Sequence, residues 1–384
     1  MPYDRELIRS GGASQRAERR RQTARREPAR RARRPSRPRR RGSFSRTLRT
    51  ILLIVVLVAI VGVVLLFLRG ATFNAAVSSA PYPSTALLWD LNGSERVNVL
   101  MVGYGGGDHD GAYLADSIQI LSIDPSTNTT TTVPIPRDLW IEGIDNFSRN
   151  GKVNEVYAVG HGSVDGDEAE RLDAAGALMA RVLSDVTGLR IDHWLSIDFA
   201  GFREMVDAIG GVTIDNPVAF DYTTIEEFHR AGRWEMGGFP TGKIHLDGDE
   251  ALAYVRARYT SVVSESTDYA RSVRQARILS AIRTTLGAGG LGSMVPGLGL
   301  MDAIEQRIRT DLSAIDLFLF SSHLASDRRV ELTEDVALVA TTNTIGQYIL
   351  IPIGWTGPGD YGGLRAYLDA ELARTDDIGV SNAP

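Results

Sequence analysis

The sequence of 384 residues contains no cysteine. Disulfide bonds, thiolate metal sites and cysteine nucleophiles are therefore excluded, and a folded domain of this chain must take its stability from its core. The sequence also has no GxSxG or HExxH motif, so it carries no signature of a serine hydrolase or a zincin. Its glycine-rich segment, residues 103–111, has neither P-loop nor GxGxxG spacing and is not predicted to bind a nucleotide.

One uncharged segment, residues 51–68, consists almost entirely of Ile, Leu, Val and Ala and lies between Arg49 and Arg69. At about 1.5 Å per residue, a helix over this segment reaches roughly 27 Å, close to the hydrocarbon thickness of a bilayer. We therefore predict a transmembrane helix over residues 50–69, followed by a linker over 70–94. The alternative is a cleaved signal peptide, for which Ser78-Ser79-Ala80 offers a small-residue cleavage site.

Residues 1–49 contain 18 arginines, no lysine and four acidic residues, a net charge of +14 that leaves −19 for the rest of a chain whose total is −5. Positive charge beside a first hydrophobic segment is retained in the cytoplasm, so we predict a single-pass protein of the cell membrane with an extracellular C-terminal domain. The arginine-rich tail has too few apolar side chains to bury a core and is predicted to be disordered. A nucleic-acid-binding arm is the alternative. Topology and attraction to anionic lipid already explain the basic run, so no nucleic-acid partner is expected.

Beyond residue 94, strands alternate with helices, which predicts an α/β layered domain over residues 95–375 and a frayed end at 376–384. Short apolar runs bounded by turn residues predict strands, and apolar residues at helical spacing predict helices. The predicted strands are 97–102, 117–123, 129–135, 193–197, 212–214 and 349–352. The predicted helices are 167–186, 199–209, 268–286 and 363–372, with further amphipathic segments at 301–307 and 314–324.

Arginines cluster in two neighbouring segments of this acidic domain. Arg256 and Arg258 alternate along AYVRAR, so in an extended segment both guanidinium groups would project from one face. On the predicted helix that follows, Arg271, Arg274 and Gln275 share a face. Planar cationic forks in this arrangement suit an oxyanion such as phosphate or pyrophosphate. The alternative is ordinary ion pairing.

Two loops between the first strands supply further candidates. Pro136-Arg137-Asp138 begins the loop after the third predicted strand, a usual position for functional side chains, and makes Arg137 and Asp138 catalytic candidates. Lys152 follows another glycine-containing loop. It would add a cation for pyrophosphate binding at the same site, or it would simply precede a helix cap formed by Asn154.

Acidic residues near the glycine-rich segment are candidates for a metal site. Asp116 precedes the second predicted strand, and Asp108, His109 and Asp110 lie in the loop before it. Carboxylate oxygens suit a hard cation such as Mg²⁺. The alternative is a solvated turn rich in Gly and Asp.

Seven fragments occur in a fixed order behind the predicted transmembrane helix, and together they resemble the LytR-CpsA-Psr family of bacterial cell-envelope proteins. The fragments are NVLMVG, LADSIQILSIDP, TTVPIPRDLW, KVNEVYAVG, FxxMVDAIGGVTIDN, LDGDEALAYVRAR and DYARSVRQARIL. The resemblance covers about residues 97–282, most of the predicted domain. It favours an oxyanion site over simple ion pairing for the arginines.

The resemblance implies a three-layer α/β/α domain with a central mixed sheet. It also implies a phosphotransferase that moves a glycopolymer, such as a teichoic acid, from an undecaprenyl-pyrophosphate carrier to peptidoglycan, with Mg²⁺ as cofactor. The residues that match the family motifs are Arg137, Arg256, Arg258, Arg271, Arg274 and Gln275 for the pyrophosphate, and Asp116 for the metal; Asp268 matches the first position of the DxxRxxRQ segment. Because the reaction spreads negative charge over phosphate oxygens, arginines and Mg²⁺ suffice for catalysis without a covalent nucleophile.

The chain departs from the family pattern after the first strand. Many members have GTDSR there, with an aspartate that binds Mg²⁺, whereas this chain has GYGGG from Gly103 onward. The second metal ligand is therefore expected to be Asp110 or His109, with Asp108 as a further candidate.

A C55 isoprenoid tail would need an apolar tunnel, which the hydrophobic face of residues 172–183 would line; a simple core-facing helix is the alternative. Two other functions stay open: a hydrolase of the lipid pyrophosphate, and a non-catalytic membrane-anchored regulator or scaffold. The missing aspartate of the GTDSR motif is the feature that favours the latter.

Overall fold

The structure is a computed structural model that describes residues 43–93, 95–107, 111–222, 237–257, 260–288, 294–324 and 328–374. Several sequence predictions fall outside these residues. They concern Asp108, His109, Asp110, Arg258, the side chain of Asp268, residues 1–42 of the tail and the C-terminal residues 376–384.

The chain divides into two compact units, residues 1–60 and 61–384. Helix α1 (Ser43–Val77) supplies the described part of the first unit and also begins the second. The other helices are α2 (Ala86–Leu91), α3 (Val153–His161), α4 (Glu168–Thr187), α5 (Phe199–Ala208), α6 (Gly248–Arg256), α7 (Asp268–Ala288), α8 (Met294–Ile304), α9 (Ala314–Phe320) and α10 (Gly362–Ala373). The strands are β1 (Val97–Tyr104), β2 (Ala115–Asp124), β3 (Thr129–Pro134), β4 (Trp140–Ile141), β5 (Gly151–Lys152), β6 (His193–Asp198), β7 (Val212–Asn216), β8 (Phe220–Tyr222), β9 (Gly237–Phe239), β10 (Gly242–Leu246), β11 (Ile308–Thr310), β12 (Arg328–Arg329), β13 (Leu338–Thr342) and β14 (Tyr348–Pro352).

A six-stranded mixed sheet forms the centre of the second unit, with the strand order β11-β6-β1-β2-β3-β12. β1 pairs antiparallel with β2 and parallel with β6. β1 and β2 are buried along most of their length, as expected for strands covered on both faces. This architecture confirms the predicted three-layer α/β/α fold with a central mixed sheet.

Alternate residues of β1 enter two different cores, as the two-residue period of a strand requires. Leu100 and Val102 pack in a cluster that contains Met179 of α4. Val99 packs on the opposite face, in a cluster that contains Phe73 of α1. The sheet therefore separates a closed core beneath α3, α4 and α10 from the face on which the other helices lie.

Helix α4 begins and ends where its sequence signals predict. Asp167 and Glu170 form a capping box at its start, and Gly188 ends it in the left-handed conformation at φ 75°. Met179 and Val182 of its apolar face are 0% exposed in the core, Leu172 and Leu178 pack against that core while partly buried, and no residue of the helix lines the large cavity formed by the described residues. The prediction that residues 172–183 line an apolar tunnel is therefore wrong, and the core-facing alternative describes this helix.

One described helix segment, Ile54–Val77 of α1, is long and apolar enough to cross a membrane, with a mean hydropathy of 2.8 over 18 residues. Its large apolar side chains from Ile54 to Leu68 are exposed. The helix begins at Ser43, so the last residues assigned to the disordered tail are helical instead.

The expected linker over residues 70–94 is instead packed against the domain. α1 continues to Val77, and α2 follows. Phe73 and Val77, four residues apart and hence on one helical face, are 3% and 0% exposed, and Leu87 of α2 is 0% exposed. The side chain of Asn74 also accepts a hydrogen bond from the backbone N–H of Ala314 at 2.9 Å. Burial of these apolar side chains explains why the segment is ordered.

Residues 253–256 of the AYVRAR segment are helical where an extended conformation was considered. Asp247 and Glu250 form a capping box that begins α6, and the helix-favouring residues that follow continue it to Arg256. The close packing of α6 on α5 depends on Gly248, where a Cβ would lie 2.4 Å from the backbone oxygen of Arg203. Arg256 consequently occupies the end of a helix, and its placement does not follow from strand alternation.

His193, at the start of β6, joins two carboxylates from different elements. Its Nε2 lies 3.2 Å from Oδ2 of Asp90 in α2, and its Nδ1 lies 3.7 Å from Oδ1 of Asp311. Burial of this side chain lowers its pKa, but the hydrogen bonds and charges of Asp311 and Asp90 outweigh that effect and raise the pKa of His193 above its ordinary value.

We expect this raised pKa to make the domain less stable as the pH increases. The protonated imidazole contributes its full stabilisation below the unfolded-state pKa of about 6.5, and the contribution is lost as the pH rises through the higher folded-state pKa. Urea unfolding of the full chain in detergent between about pH 6 and 9 measures this dependence. His193→Gln should lose this part of the slope, whereas His245→Gln, at an exposed histidine, should keep it. An unchanged slope in His193→Gln would contradict the assignment.

Candidate functional site

A cavity of about 1330 Å³ lies between the sheet and helices α5 to α9. Much of its wall is apolar, with side chains such as Phe73, Met205, Ile278 and Leu317. A group of polar side chains lines it at the sheet: Asp116, Ser117, Gln119, Arg137, Asp198, Arg256, Arg271 and Gln275. The cavity therefore joins a large apolar chamber to a polar wall that carries the guanidinium groups of Arg137, Arg256 and Arg271. Arg283, a fourth arginine of the lining, lies about three turns further along α7 than Arg271.

Strand register brings two carboxylates to the same edge of the sheet. Gly103 of β1 lies opposite Ser117 of β2, and Tyr104 lies opposite Asp198 of β6. Because β6 runs parallel to β1 and β2 begins where β1 ends, Asp116 and Asp198 flank the end of β1 on its two sides.

The glycine-rich loop after β1 packs closely on Asp198. Gly106 has φ +70°, and a Cβ there would lie 2.8 Å from the Cβ of Asp198. Asp198 also begins α5, because its Oδ1 accepts a hydrogen bond from the N–H of Gly201 at 2.6 Å, and Nη1 of Arg307 lies 3.4 Å from its Oδ2. A side chain at residue 106 would thus displace a carboxylate that lines the cavity.

A chain of charged contacts holds Arg137 at the cavity. Its Nη1 donates to Oδ1 of Asp116 at 2.9 Å, and its Nε lies 3.6 Å from Oδ2 of Asp138. Lys152 in turn donates to Oδ1 of Asp138 at 2.5 Å. Asp138 and Lys152 are not part of the cavity lining formed by the described residues. Asp138 therefore orients Arg137 from outside the cavity, and Lys152 in turn orients Asp138.

Gln275 and Arg271 bring α7 to the same wall. The side-chain oxygen of Gln275 accepts hydrogen bonds from Nε2 of Gln119 at 2.8 Å and from Oγ of Ser117 at 3.2 Å. Arg271 lies one turn earlier on the helix, is 9% exposed and lines the cavity. The hydrogen bonds of Gln275 thus connect α7 to β2 one turn from Arg271, whose guanidinium group forms part of the polar wall.

Arg256 reaches the wall from the last residue of α6. Its guanidinium carbon lies 4.2 Å from the centre of the Phe199 ring, the first residue of α5. Arg256 was predicted from the sequence as a residue of this site on an extended segment. In the structure it lines the cavity from the end of a helix.

Arg274 does not line this cavity. Its guanidinium group donates to the backbone oxygens of Tyr254 at 2.9 Å, Glu265 at 2.8 Å and Ala257 at 2.5 Å, and to the Glu265 carboxylate at 2.7 Å. Burial lowers the pKa of Arg274, against the opposing effect of Glu265. The prediction that Arg274 shares the oxyanion site needs correction, because its guanidinium group is directed to the carbonyl groups of Tyr254, Ala257 and Glu265 and does not line the cavity.

The structure therefore brings five of the predicted site residues to one cavity and leaves their ligand a prediction. These five are Asp116, Arg137, Arg256, Arg271 and Gln275. Sequence reasoning did not identify Ser117, Gln119 and Asp198. Asp198 follows a predicted strand directly, the feature that singled out Arg137, and Gln119 is a polar residue within an otherwise apolar strand, so both carried a usable signal.

A model of the LytR_cpsA_psr family matches residues 71–349 of this chain. The chain belongs to the LytR-CpsA-Psr family. The match includes all the described residues of the cavity wall named above, and it begins within α1, in agreement with the packing of Phe73 into the domain.

Curated relatives are similar over most of this region. Polyisoprenyl-teichoic acid–peptidoglycan teichoic acid transferase TagU of Bacillus cereus is 28% identical over 230 residues, which cover 59% of this chain and 64% of that protein. TagU of Enterococcus faecalis is 29% identical over 231 residues, covering 59% and 65%. TagU of Halalkalibacterium halodurans is 27% identical over 266 residues, covering 69% and 77%. The chain thus spans just under two thirds of the length of the first two relatives.

Solved structures share the fold. Bacillus subtilis TagV has a TM-score of 0.52 at 20% identity and covers 74% of this chain and 100% of its own. Bacillus subtilis TagU has a TM-score of 0.50 at 22% identity, with coverages of 73% and 99%. TagT bound to LI-WTA has a TM-score of 0.50 at 18% identity, with coverages of 77% and 95%. At these identities the likeness shows the fold alone.

The surroundings of Arg274 predict a structural role for this residue. Arg274→Met is expected to lower the free energy of unfolding by about 3–5 kcal/mol, because it leaves buried carbonyl groups and the Glu265 carboxylate without their cation. Arg277→Met, on the same helix, removes one hydrogen bond to the hydroxyl of Tyr254 at 2.9 Å and should cost about 1 kcal/mol. Urea unfolding of the full chain measures both values. Equal costs for the two variants would contradict the structural role.

Proposed function

We propose that this protein transfers a glycopolymer from a polyprenyl-pyrophosphate carrier to peptidoglycan. The observation that carries the proposal is a single cavity with an apolar chamber and a wall of three arginines. A polyprenyl-pyrophosphate glycan has the matching composition, with a long apolar tail and a compact anionic group. The names of the curated relatives, which are teichoic acid transferases acting between a polyisoprenyl carrier and peptidoglycan, support the same reaction class.

The arginines would bind and polarise the pyrophosphate. A hydroxyl of the acceptor attacks the phosphorus nearest the sugar, that phosphorus keeps the glycan through a phosphodiester, and polyprenyl phosphate leaves. Negative charge grows on the phosphate oxygens during this step, where Arg137, Arg256 and Arg271 would stabilise it. The contact of Asp138 with Arg137 would keep that guanidinium oriented before the donor binds, and Lys152 would hold Asp138 in place.

The apolar chamber would hold the tail of the donor. Its volume of about 1330 Å³ exceeds the roughly 300–1,000 Å³ of ordinary ligand pockets, as a long chain requires. Side chains from α5, α7, α8 and α9 line it. The tail is thus proposed to lie on the sheet face opposite α4.

Mg²⁺ is the proposed cofactor, with Asp116 as its first protein ligand. Mg²⁺ is commonly held by one or two carboxylates together with substrate phosphates, and Asp116 and Asp198 both line the polar wall. No cluster of three or more acidic or histidine ligands occurs among the residues that the structure describes, so the fit is to a site completed by phosphate oxygens. When bound, the ion would neutralise charge on those oxygens. Asp110 and His109 stay proposed as additional ligands.

The experiment that tests the transfer uses the full chain in vesicles with a polyprenyl-pyrophosphate-linked glycan, Mg²⁺ and peptidoglycan. The expected products are glycan attached to peptidoglycan and polyprenyl monophosphate. Release of both monophosphate and free glycan phosphate, without attachment, would identify a hydrolase instead. Absence of any turnover would favour a regulator or scaffold.

Asp116→Asn is the matched test of the metal proposal. It keeps the size of the side chain and removes its charge, so transfer should fall by about 10²-fold or more while the fold is retained. The required Mg²⁺ concentration should rise as well. Asp145→Asn, at an exposed aspartate outside the cavity lining, should leave both unchanged. Full metal-dependent transfer by Asp116→Asn would show that Asp116 does not hold the ion.

The proposed orientation places the basic tail in the cytoplasm and the catalytic domain outside the cell, because of the charge asymmetry around residues 51–68. Protease added to intact cells is expected to degrade the domain and to spare an epitope tag at the N-terminus. A mature protein that begins at Pro81, or a domain that resists the protease until the cells are lysed, would contradict this topology.

A further inference from the structure

The contact between Arg256 and the Phe199 ring has no role in the chemistry proposed above. The guanidinium carbon of Arg256 lies 4.2 Å from the ring centre, well within the roughly 6 Å over which a cation is attracted by an aromatic face. Both side chains line the cavity. Phe199 is partly buried and packs against the core cluster beneath α6, so the ring has a supported position.

Hydrogen bonds between aspartate side chains and backbone N–H groups fix Phe199 and Arg256 relative to each other. Asp198 caps α5 through the N–H of Gly201 at 2.6 Å, which places Phe199 at the first helical position. The side chain of Asp207 in α5 accepts a hydrogen bond from the N–H of Gly248 at 2.8 Å. Together with the close approach at Gly248, this contact sets the start of α6 on α5. Arg256, at the other end of α6, then lies over the beginning of α5.

This geometry suits an arginine that must present its edge to an anion. A guanidinium group is planar, and its N–H donors lie in the plane, whereas stacking on a ring uses its face. An aromatic surface at the face therefore restrains the group without competing for the donors. A flexible arginine would lose more side-chain entropy on binding than one already held against a ring.

We propose that Phe199 is a positioning residue that holds the Arg256 guanidinium for the donor pyrophosphate. The inference rests on the proposed function, since it takes pyrophosphate as the anion that Arg256 meets. Phe199 itself does not contact the reacting atoms in this proposal. Its effect passes through Arg256 alone, which makes the two residues energetically coupled.

The test measures the affinity of the full chain in detergent for inorganic pyrophosphate by calorimetry. Phe199→Leu keeps an apolar side chain and removes the ring, so the dissociation constant should rise about 5- to 30-fold, the range for a cation–π contact sheltered from solvent. Phe199→Tyr retains the ring face and should stay within about twofold of the parent protein by the same reasoning. Phe147→Leu removes a buried ring from the opposite core and serves as the control for general loss of aromatic packing.

A double-mutant cycle separates positioning from a merely structural role. In the Arg256→Gln background, Phe199→Leu should have no further effect on pyrophosphate affinity, because its route of action is gone. Additive losses in the cycle, or a loss in Phe199→Tyr equal to that in Phe199→Leu, would overturn the inference. Steady-state transfer assays should show the effect of Phe199→Leu mainly in KM for the donor.

The proposed function and this inference fail in different ways. If the parent protein does not bind pyrophosphate at all, the proposed function is overturned. If the parent binds it and the cycle is additive, pyrophosphate binding stands and only the role of Phe199 is lost. Urea midpoints equal to that of the parent confirm that each variant is folded before its affinity is compared.

Discussion

The pairing of β1 with β6 on one side and with β2 on the other is the constraint on which the candidate site depends. It places the end of β1 between Asp198 and Asp116, and it forces the chain after Tyr104 to leave through a loop that packs on a carboxylate. That loop has room only for glycine at residue 106. A slip of one residue in either pairing would turn every side chain of the shifted strand to the other face and would separate the two acids from the cavity.

The second constraint is that charged side chains must keep a fixed orientation beside an apolar chamber. Arg137 is an example. It donates to Asp116 at the cavity, it lies beside Asp138 outside the cavity, and Asp138 accepts a hydrogen bond from Lys152. Gln275 is held by two polar groups of β2. Such groups are oriented before a ligand arrives, so binding does not have to pay for their rearrangement. The apolar chamber needs no comparable network, since burial of hydrocarbon is not directional.

Local patterns in the sequence were sufficient for an α/β layered fold, whereas the family resemblance was needed to group Arg137 and Asp116 with Arg256 and Arg271. Turn residues, strand runs and the capping signals of α4 act over a few positions, so their outcome follows from the sequence itself. The extended conformation considered for the AYVRAR segment is wrong at Arg256, because alternation was read without the capping box of Asp247 and Glu250, which begins a helix. The expected linker failed for another reason: Phe73 and Leu87 find partners far away in the sequence, and no local pattern reveals those partners. The prediction for Arg274 was wrong for a similar reason. Helical spacing shows that Arg271, Arg274 and Gln275 share a face, but it does not show which groups each side chain contacts.

Arg137, Arg256 and Arg271, three of the four arginines that line the cavity, lie in a part of the chain whose net charge is strongly negative, since residues 50–384 carry −19. This balance does not oppose an anionic ligand, because exposed charges are screened over about 8 Å at physiological ionic strength. Beside the apolar chamber, charges are screened less than exposed ones, so the groups nearest a ligand dominate the local potential. What distinguishes these arginines from Arg274 is therefore the group that each one faces. Arg274 is enclosed by carbonyl oxygens of its own chain, whereas the guanidinium carbon of Arg256 lies over the Phe199 ring on the wall of the cavity.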